Sequence, residues 1–259
     1  MLIIKGLIIG IGKIIPGVSG SMLAISLGEY ENMLCAVNNY FKDVINNSKY
    51  LVKICIGILI SIVLLSNIIA KSISCYYIYT MFLFSGFILG SNDSIKKDIK
   101  PNYLIIIISF VVFLFINKSV FNNTLIISKS FIYYLVGGFL DSVSMIIPGI
   151  SGTSLLISYG CYNEVIYSIS SINLNILIPF ILGMFIGIIL TIKFISYMIN
   201  NHKYITYNVI IGISTATIII MIEKGINSNT GFISVLISIL LFAIGYFISK
   251  KMTALLAIK

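Results

Sequence analysis

The residues with the most chemical promise are a proline, two glycines and two hydroxyls set inside apolar sequence, and the group occurs twice. Ile14-Ile15-Pro16-Gly17-Val18-Ser19-Gly20-Ser21 returns 132 residues later as Ile146-Ile147-Pro148-Gly149-Ile150-Ser151-Gly152-Thr153. The match extends outward, pairing Gly6 with Gly138, Leu23 with Leu155, Gly28 with Gly160 and Tyr30 with Tyr162. Pro16 and Pro148 break a helix, and Gly17, Gly20, Gly149 and Gly152 let backbone or ligand come close. Each break is expected to start a short helix, at Val18 and at Ile150, with Ser19 and Ser151 in its first turn. Helix N-termini carry unpaired N–H groups and about half a positive charge, so two facing one another make an anion site. Ser21 and Thr153 add donors two residues on. Phosphate fits such a site well, although the pattern does not choose among anions. The competing reading is that Ser19 and Ser151 simply cap their helices.

The elements that must position these residues are membrane helices. The chain is 59% hydrophobic and 10% charged, against about 25% charged in soluble domains, and its mean hydropathy is +1.09. There is too little polar sequence to clothe a soluble fold of 259 residues. In hydrocarbon, a broken helix survives only where it is buried in protein or lines a polar cavity. Two such breaks at matching places are the sequence mark of a transporter-type binding site. The net charge of +9 comes entirely from lysine. Those lysines are scattered between apolar runs, which points to membrane topology and away from a nucleic-acid partner. Cys35, Cys55, Cys75 and Cys161 show no metal-ligand spacing, and the single histidine, His202, falls in a polar loop. No metal and no cofactor is expected. The N-terminus has no charged run before its apolar stretch, which argues against a cleaved signal peptide.

The expected fold is all-α and polytopic, a single transmembrane domain over residues 1–259. Each half (about 1–120 and about 131–250) holds a broken hairpin followed by three spans. The first half has its break within 2–28, a polar connection through Asn38–Lys49, then apolar runs near 54–70, 76–90 and 103–117. The second has its break within 131–160, then runs near 176–192, 205–222 and 231–249. The lysines choose between a hairpin that crosses and one that enters and returns. With re-entrant hairpins, twelve lysines fall on one side and four on the other, Lys13 being set aside as intramembrane; with crossing hairpins the same sixteen divide nine to seven. The positive-inside rule favours the re-entrant arrangement, with both termini cytoplasmic. Three spans per half then invert the second half, so the two Pro-Gly tips approach from opposite faces and meet near the midplane.

Three further positions carry charge near these breaks. Lys13 is either a partner for the phosphate or a lysine that snorkels to the cytoplasmic face. Asp141 has no acidic mate in the first half, where Ile9 stands. It would carry a coupling proton, bind Na⁺, pair with Lys13 or lie at the outer interface. Glu29, with Glu31 and Glu164, follows a hairpin where the chain regains the membrane surface, which makes Glu29 interfacial or a gate. Asn92-Asp93 reads as a turn.

Three stretches in the right order give the chain a family resemblance. They are Gly6…Gly10…Pro16-Gly17-Val18-Ser19-Gly20…Gly28-Glu29-Tyr30, then Phe84-Ser85-Gly86-Phe87-Ile88-Leu89-Gly90-Ser91, then Met145-Ile146-Ile147-Pro148-Gly149-Ile150-Ser151-Gly152-Thr153…Gly160-Cys161-Tyr162. Almost the whole chain resembles the DUF368 membrane family. That resemblance implies a transporter of polyprenyl phosphate in the bacterial plasma membrane. It would return undecaprenyl phosphate from the outer to the cytoplasmic leaflet for reuse in envelope synthesis. The chain departs from the family pattern at Lys13, where Asn is usual, and at Met22, where Thr is usual. Coupling to H⁺ or Na⁺ would fit a transporter.

Two alternatives stand beside this reading. Pro-Gly-x-Ser also resembles the motif of undecaprenyl-pyrophosphate phosphatases. There an arginine follows the serine and an ExxxE pair accompanies it. This chain has Gly20 and Gly152 at the arginine's place, Glu29-Tyr30-Glu31 in place of the pair, and no arginine. Phosphoryl transfer needs positioned cations, so an enzyme is not expected. The other alternative is a small-anion channel or exchanger using the same helix termini.

Overall fold

The computed structural model describes residues 1–14, 19–121, 130–150, 152–226 and 231–256. Among them are helices and no strands. In order they are α1 (Leu2–Ile14), α2 (Gly20–Ser26), α3 (Tyr30–Asn38), α4 (Val44–Cys75), α5 (Tyr77–Asp98), α6 (Tyr103–Phe121), α7 (Phe131–Ile146), α8 (Gly152–Tyr159), α9 (Tyr162–Ser171), α10 (Leu174–Ile226) and α11 (Phe232–Leu256). A short 3-10 turn, Tyr40–Lys42, links α3 to α4. Three of these helices are long and apolar enough to cross a membrane, with spans at Val44–Leu65, Leu174–Ile226 and Ile233–Lys251. At 53 residues α10 is about 80 Å long, more than twice the ~30 Å of a hydrocarbon core. It bends at His202. Apolar side chains cover the outside, with Val63, Phe115, Phe185, Leu240 and Phe247 more than half exposed. This is the surface of a membrane protein.

Both long helical stretches bend with the same local chemistry. Tyr76, between α4 and α5, has φ −132° and ψ 44°, and His202, 126 residues on, has φ −134° and ψ 40°. At each bend a threonine four residues later turns its hydroxyl back onto the carbonyls of the bend residue and of the residue four before it. The Thr80 hydroxyl lies 3.0 Å from Tyr76 O and 3.3 Å from Ser72 O. The Thr206 hydroxyl lies 2.9 Å from His202 O and 3.1 Å from Met198 O. His202 therefore stands in a helix bend and not in a loop.

Glycines set the closest helix contacts, as small residues do where helices pack inside a membrane. A Cβ at Gly6 would stand 2.3 Å from Ile54 O, and one at Gly57 2.2 Å from Ile3 O, so α1 and α4 touch backbone to backbone. The same holds between α7 and α10, where Gly138 faces Phe180 O and Gly183 faces Leu135 O, each at 1.9 Å. A Cβ at Gly86 of α5 would stand 1.9 Å from Phe242 O of α11, and one at Gly212 of α10 would stand 1.9 Å from Ser109 Oγ of α6.

Three expectations change. The half-helices begin two residues later than the proline spacing suggested, at Gly20 and Gly152 and not at Val18 and Ile150. Ser19 has extended φ −98° and ψ 132°, so it precedes the helix as its cap residue and is not in its first turn. The polar stretch after the first hairpin is ordered as α3, the 3-10 turn and the start of α4. Asn92-Asp93 lie inside α5, with Asn92 only 1% exposed.

Candidate functional site

Short α2 is the most enclosed element of the fold. All seven of its residues, Gly20–Ser26, are buried, and Met22 is fully enclosed by the main apolar core. A Cβ at Gly20 would stand 3.2 Å from Ile9 O, which brings α2 back against α1, the arm it follows. Ser19 and Ser21 are 4% and 7% exposed. Their hydroxyl oxygens are 2.6 Å apart, and Ser19 Oγ also reaches Ser144 O of α7 at 3.4 Å. Ser19 makes no side-chain cap to its own helix. Capping therefore does not explain this serine.

The second hairpin meets the first at this place. The hydroxyl of Tyr30, at the start of α3, donates to Ile146 O at 2.9 Å, two residues before Pro148. Gly149 has φ +89°, a left-handed conformation that costs glycine little and most residues more. Its carbonyl accepts from the Thr217 hydroxyl at 2.6 Å. A Cβ there would stand 2.8 Å from Ile213 Cγ2 and 3.2 Å from Ser214 N, so the Pro-Gly turn is seated on α10 beyond its bend. Behind that seat, the Ser214 hydroxyl donates to Asn92 Oδ1 at 2.8 Å. Asn92, Ser214 and Thr217 were not singled out by the sequence. The nearest signal is the Asn92-Asp93 pair that read as a turn.

Gly152 opens α8, and two oxygens crowd its Cα. A Cβ there would stand 2.5 Å from Asp141 Oδ1 and 2.5 Å from Ser144 Oγ. The half-buried Asp141 thus packs against the first residue of the second half-helix. Its counterpart Ile9 packs its own backbone and methyl against Gly20 in the first. Pro16, Gly17, Val18 and Ser151 lie outside the described residues, as do the side chains of Lys13 and Thr153.

Glu29 is enclosed by protein and not solvated. It is 5% exposed, pairs with Lys5 of α1, and accepts from Tyr50 of α4 at 2.5 Å and from Asn32 at 3.3 Å. Burial pushes its carboxyl up, but the hydrogen bonds from Lys5, Tyr50 and Asn32 and the lysine charge outweigh burial and hold it below the ordinary carboxylate range. Glu31 accepts from Tyr207 of α10 and pairs with Lys203 at 3.0 Å on a half-exposed surface. Glu164 accepts from Tyr134 of α7 at 2.6 Å. All three glutamates that follow a hairpin are tied to a tyrosine.

Chemically, the site offers hydroxyls that can turn, at the start of a short helix inside an apolar shell. A hydroxyl both donates and accepts and rotates to suit its partner. Ser19 and Ser21 can therefore hold each other or turn together to an anion.

The family whose sequence profile matches residues 9–231 is described as VCA0040-like, undecaprenyl phosphate translocase-like. A polyprenyl-phosphate transporter of Staphylococcus aureus is 30% identical over 267 aligned positions, which cover 95% of this chain and 93% of that protein. A polyprenyl-phosphate transporter of Vibrio cholerae is 25% identical over 232, covering 83% and 75%. No solved structure matches the chain. With the profile spanning most of its length, the chain belongs to the DUF368 family of membrane proteins, the undecaprenyl phosphate translocase-like proteins.

Proposed function

We propose that this protein moves polyprenyl phosphate, undecaprenyl phosphate in particular, from the outer to the cytoplasmic leaflet of the bacterial plasma membrane. The observation that carries the reading is the junction of Ser19 with Ser21 and Ser144. A buried serine at a Pro-Gly break leaves its own helix uncapped and turns its hydroxyl to the other hairpin. The names of the two relatives supply the class of substrate. The phosphate headgroup binds between the tips through Ser19, Ser21, Ser151 and Thr153, with Gly17, Gly20, Gly149 and Gly152 giving it room and Lys13 as a charge partner. Pro16 and Pro148 hold the breaks open. The isoprenoid tail stays in lipid.

In this reading the two halves are inverted repeats with re-entrant hairpins and cytoplasmic termini, and they rock about the bound headgroup. The matching bends at Tyr76 and His202 support a repeat. Asp141, packed on Gly152, is the place for a coupling H⁺ or Na⁺.

The test is the leaflet accessibility of labelled undecaprenyl phosphate in proteoliposomes, wild type beside Ser19→Ala/Ser151→Ala. Charge-assisted hydrogen bonds contribute ~1.5–3 kcal/mol each, so the double variant should bind the headgroup about two to four decades more weakly. A loss well under tenfold would make the serines structural only. Absence of transfer by folded wild type, with H⁺ and Na⁺ gradients applied, would overturn the transport reading. Release of inorganic phosphate from undecaprenyl pyrophosphate would replace it with the phosphatase.

A further inference from the structure

We infer that Glu29-Tyr30-Glu31 is a brace that makes the two hairpins and the far half of α10 move as one body. Three consecutive residues at a helix start point in directions about 100° apart, and these three reach three different parts of the molecule. Glu29 holds the first arm of the first hairpin through Lys5, and α4 through Tyr50. Tyr30 donates to Ile146 O at the end of the second hairpin's first arm, 116 residues away in sequence. Glu31 accepts from Tyr207, 176 residues away and five residues past the bend of α10.

The middle contact matters most. Ile146 ends α7, so its carbonyl has no partner within its own helix. Leaving it bare in a dry interior would be costly. The first hairpin supplies the missing donor, and Ser19 Oγ reaches Ser144 O in the same last turn. The Pro148-Gly149 turn begins two residues on and sits on α10 through Thr217. A shift of the first hairpin therefore pulls on α7 at Ile146 and on α10 at Tyr207 together. The brace rests on the transport reading for its purpose: it would keep the two tips together around the headgroup while the rest of each half rocks.

The experiment is a distance measurement between spin labels, made independent of activity. The labels sit on Cys35 of α3, which is exposed, and on Ile157→Cys of α8, where the side chain is half-exposed. Cys55 and Cys75 are replaced by alanine. The protein is studied in nanodiscs, empty and with excess undecaprenyl phosphate. Each state of the braced protein should give one narrow distribution. Tyr30→Phe should broaden it and slow lipid transfer at least about fivefold, the scale of one lost hydrogen bond, with headgroup affinity changed less than about twofold. Tyr207→Phe cuts the α10 contact alone and decides the matter if Tyr30→Phe does not fold. Distributions as narrow as wild type in the folded variants would overturn the brace. If wild type moves no lipid, the transport reading fails, and the distribution widths still judge the brace.

Discussion

At corresponding corners, 132 residues apart, the two halves close their hairpins with opposite chemistry. In the first half Lys5 on α1 pairs with Glu29 after α2, with side chains 13% and 6% exposed. In the second half the same two positions hold Gly137 and Cys161. A Cβ at Gly137 would stand 2.9 Å from Cys161 Sγ, and Cys161 is fully buried among Tyr133, Tyr134, Leu156, Val165 and Phe180. One corner is an ion pair with tyrosine support, and the other is an apolar contact with no room to spare. Next to it the halves trade partners: Gly10 lies against Ser61 in the first, Ser142 against Gly187 in the second. The serine and the glycine have changed sides between the two pairs of helices. Close glycine contacts recur in both halves, and the side chains beside them differ.

The largest expected effect breaks the first corner. Lys5→Met leaves Glu29 buried beside Tyr50 and Asn32 without its cation, and removing one partner of a buried pair costs about 3–5 kcal/mol. The melting temperature in detergent should fall steeply. Cys161→Ser, which only places a hydroxyl in the apolar corner, should cost about 1–3 kcal/mol. Equal losses would mean that the two corners are held by the same kind of contact after all.

Much of this frame was legible in the sequence because it depends on local residues. Pro16 and Pro148 with their glycines announce two broken segments, and α1, α2, α7 and α8 fall inside the expected stretches 2–28 and 131–160. The helix starts were misplaced by two residues, since proline marks where a helix fails and not where the next begins. The partners of the site were harder to see. Asn92-Asp93 has turn-prone residue types, yet contacts from Ser214 and Tyr246, 122 and 153 residues away, support them within α5. Tyr30 and Ile146 are equally remote. The partners of Glu29 are hidden because nothing near it in sequence shows that Lys5 and Tyr50 converge on it. Long-range polar pairs leave no periodic trace.

A smaller effect tests what the halves share. Gly6→Ala would place a Cβ 2.3 Å from Ile54 O, and Gly138→Ala one 1.9 Å from Phe180 O. Neither carbonyl is the end of a flexible side chain, so the helices must part. Overpacking of this kind costs roughly 1–3 kcal/mol. The two variants should lose similar stability in the same detergent, because the α1–α4 and α7–α10 contacts use the same device. A loss at one site only would show that the repeat is preserved in outline but not in packing.

The smallest effect is the pH dependence of the two corners, which should appear at opposite ends of the scale. Glu29 is held below the ordinary value of 4.5, with burial opposed by Lys5, Tyr50 and Asn32. A lowered folded pKa stabilises the protein above the unfolded value, and that contribution is lost as pH falls through the folded one. The first corner should therefore hold at and above the ordinary carboxylate range and weaken only as pH falls below it. Burial, with the nearby Glu164 and Asp141 charges, pushes the Cys161 thiol up from 9.0 to about 11. A raised folded pKa acts the other way: its stabilisation is complete below the unfolded value and is lost as pH climbs from there toward 11. Melting temperatures across both ranges give the check. Cys161→Ala should remove part of the alkaline decline and leave the acid limb as it was, while Lys5→Met should move the acid limb to higher pH. An acid limb in the same place without Lys5 would mean that Tyr50 and Asn32 alone hold the Glu29 carboxylate.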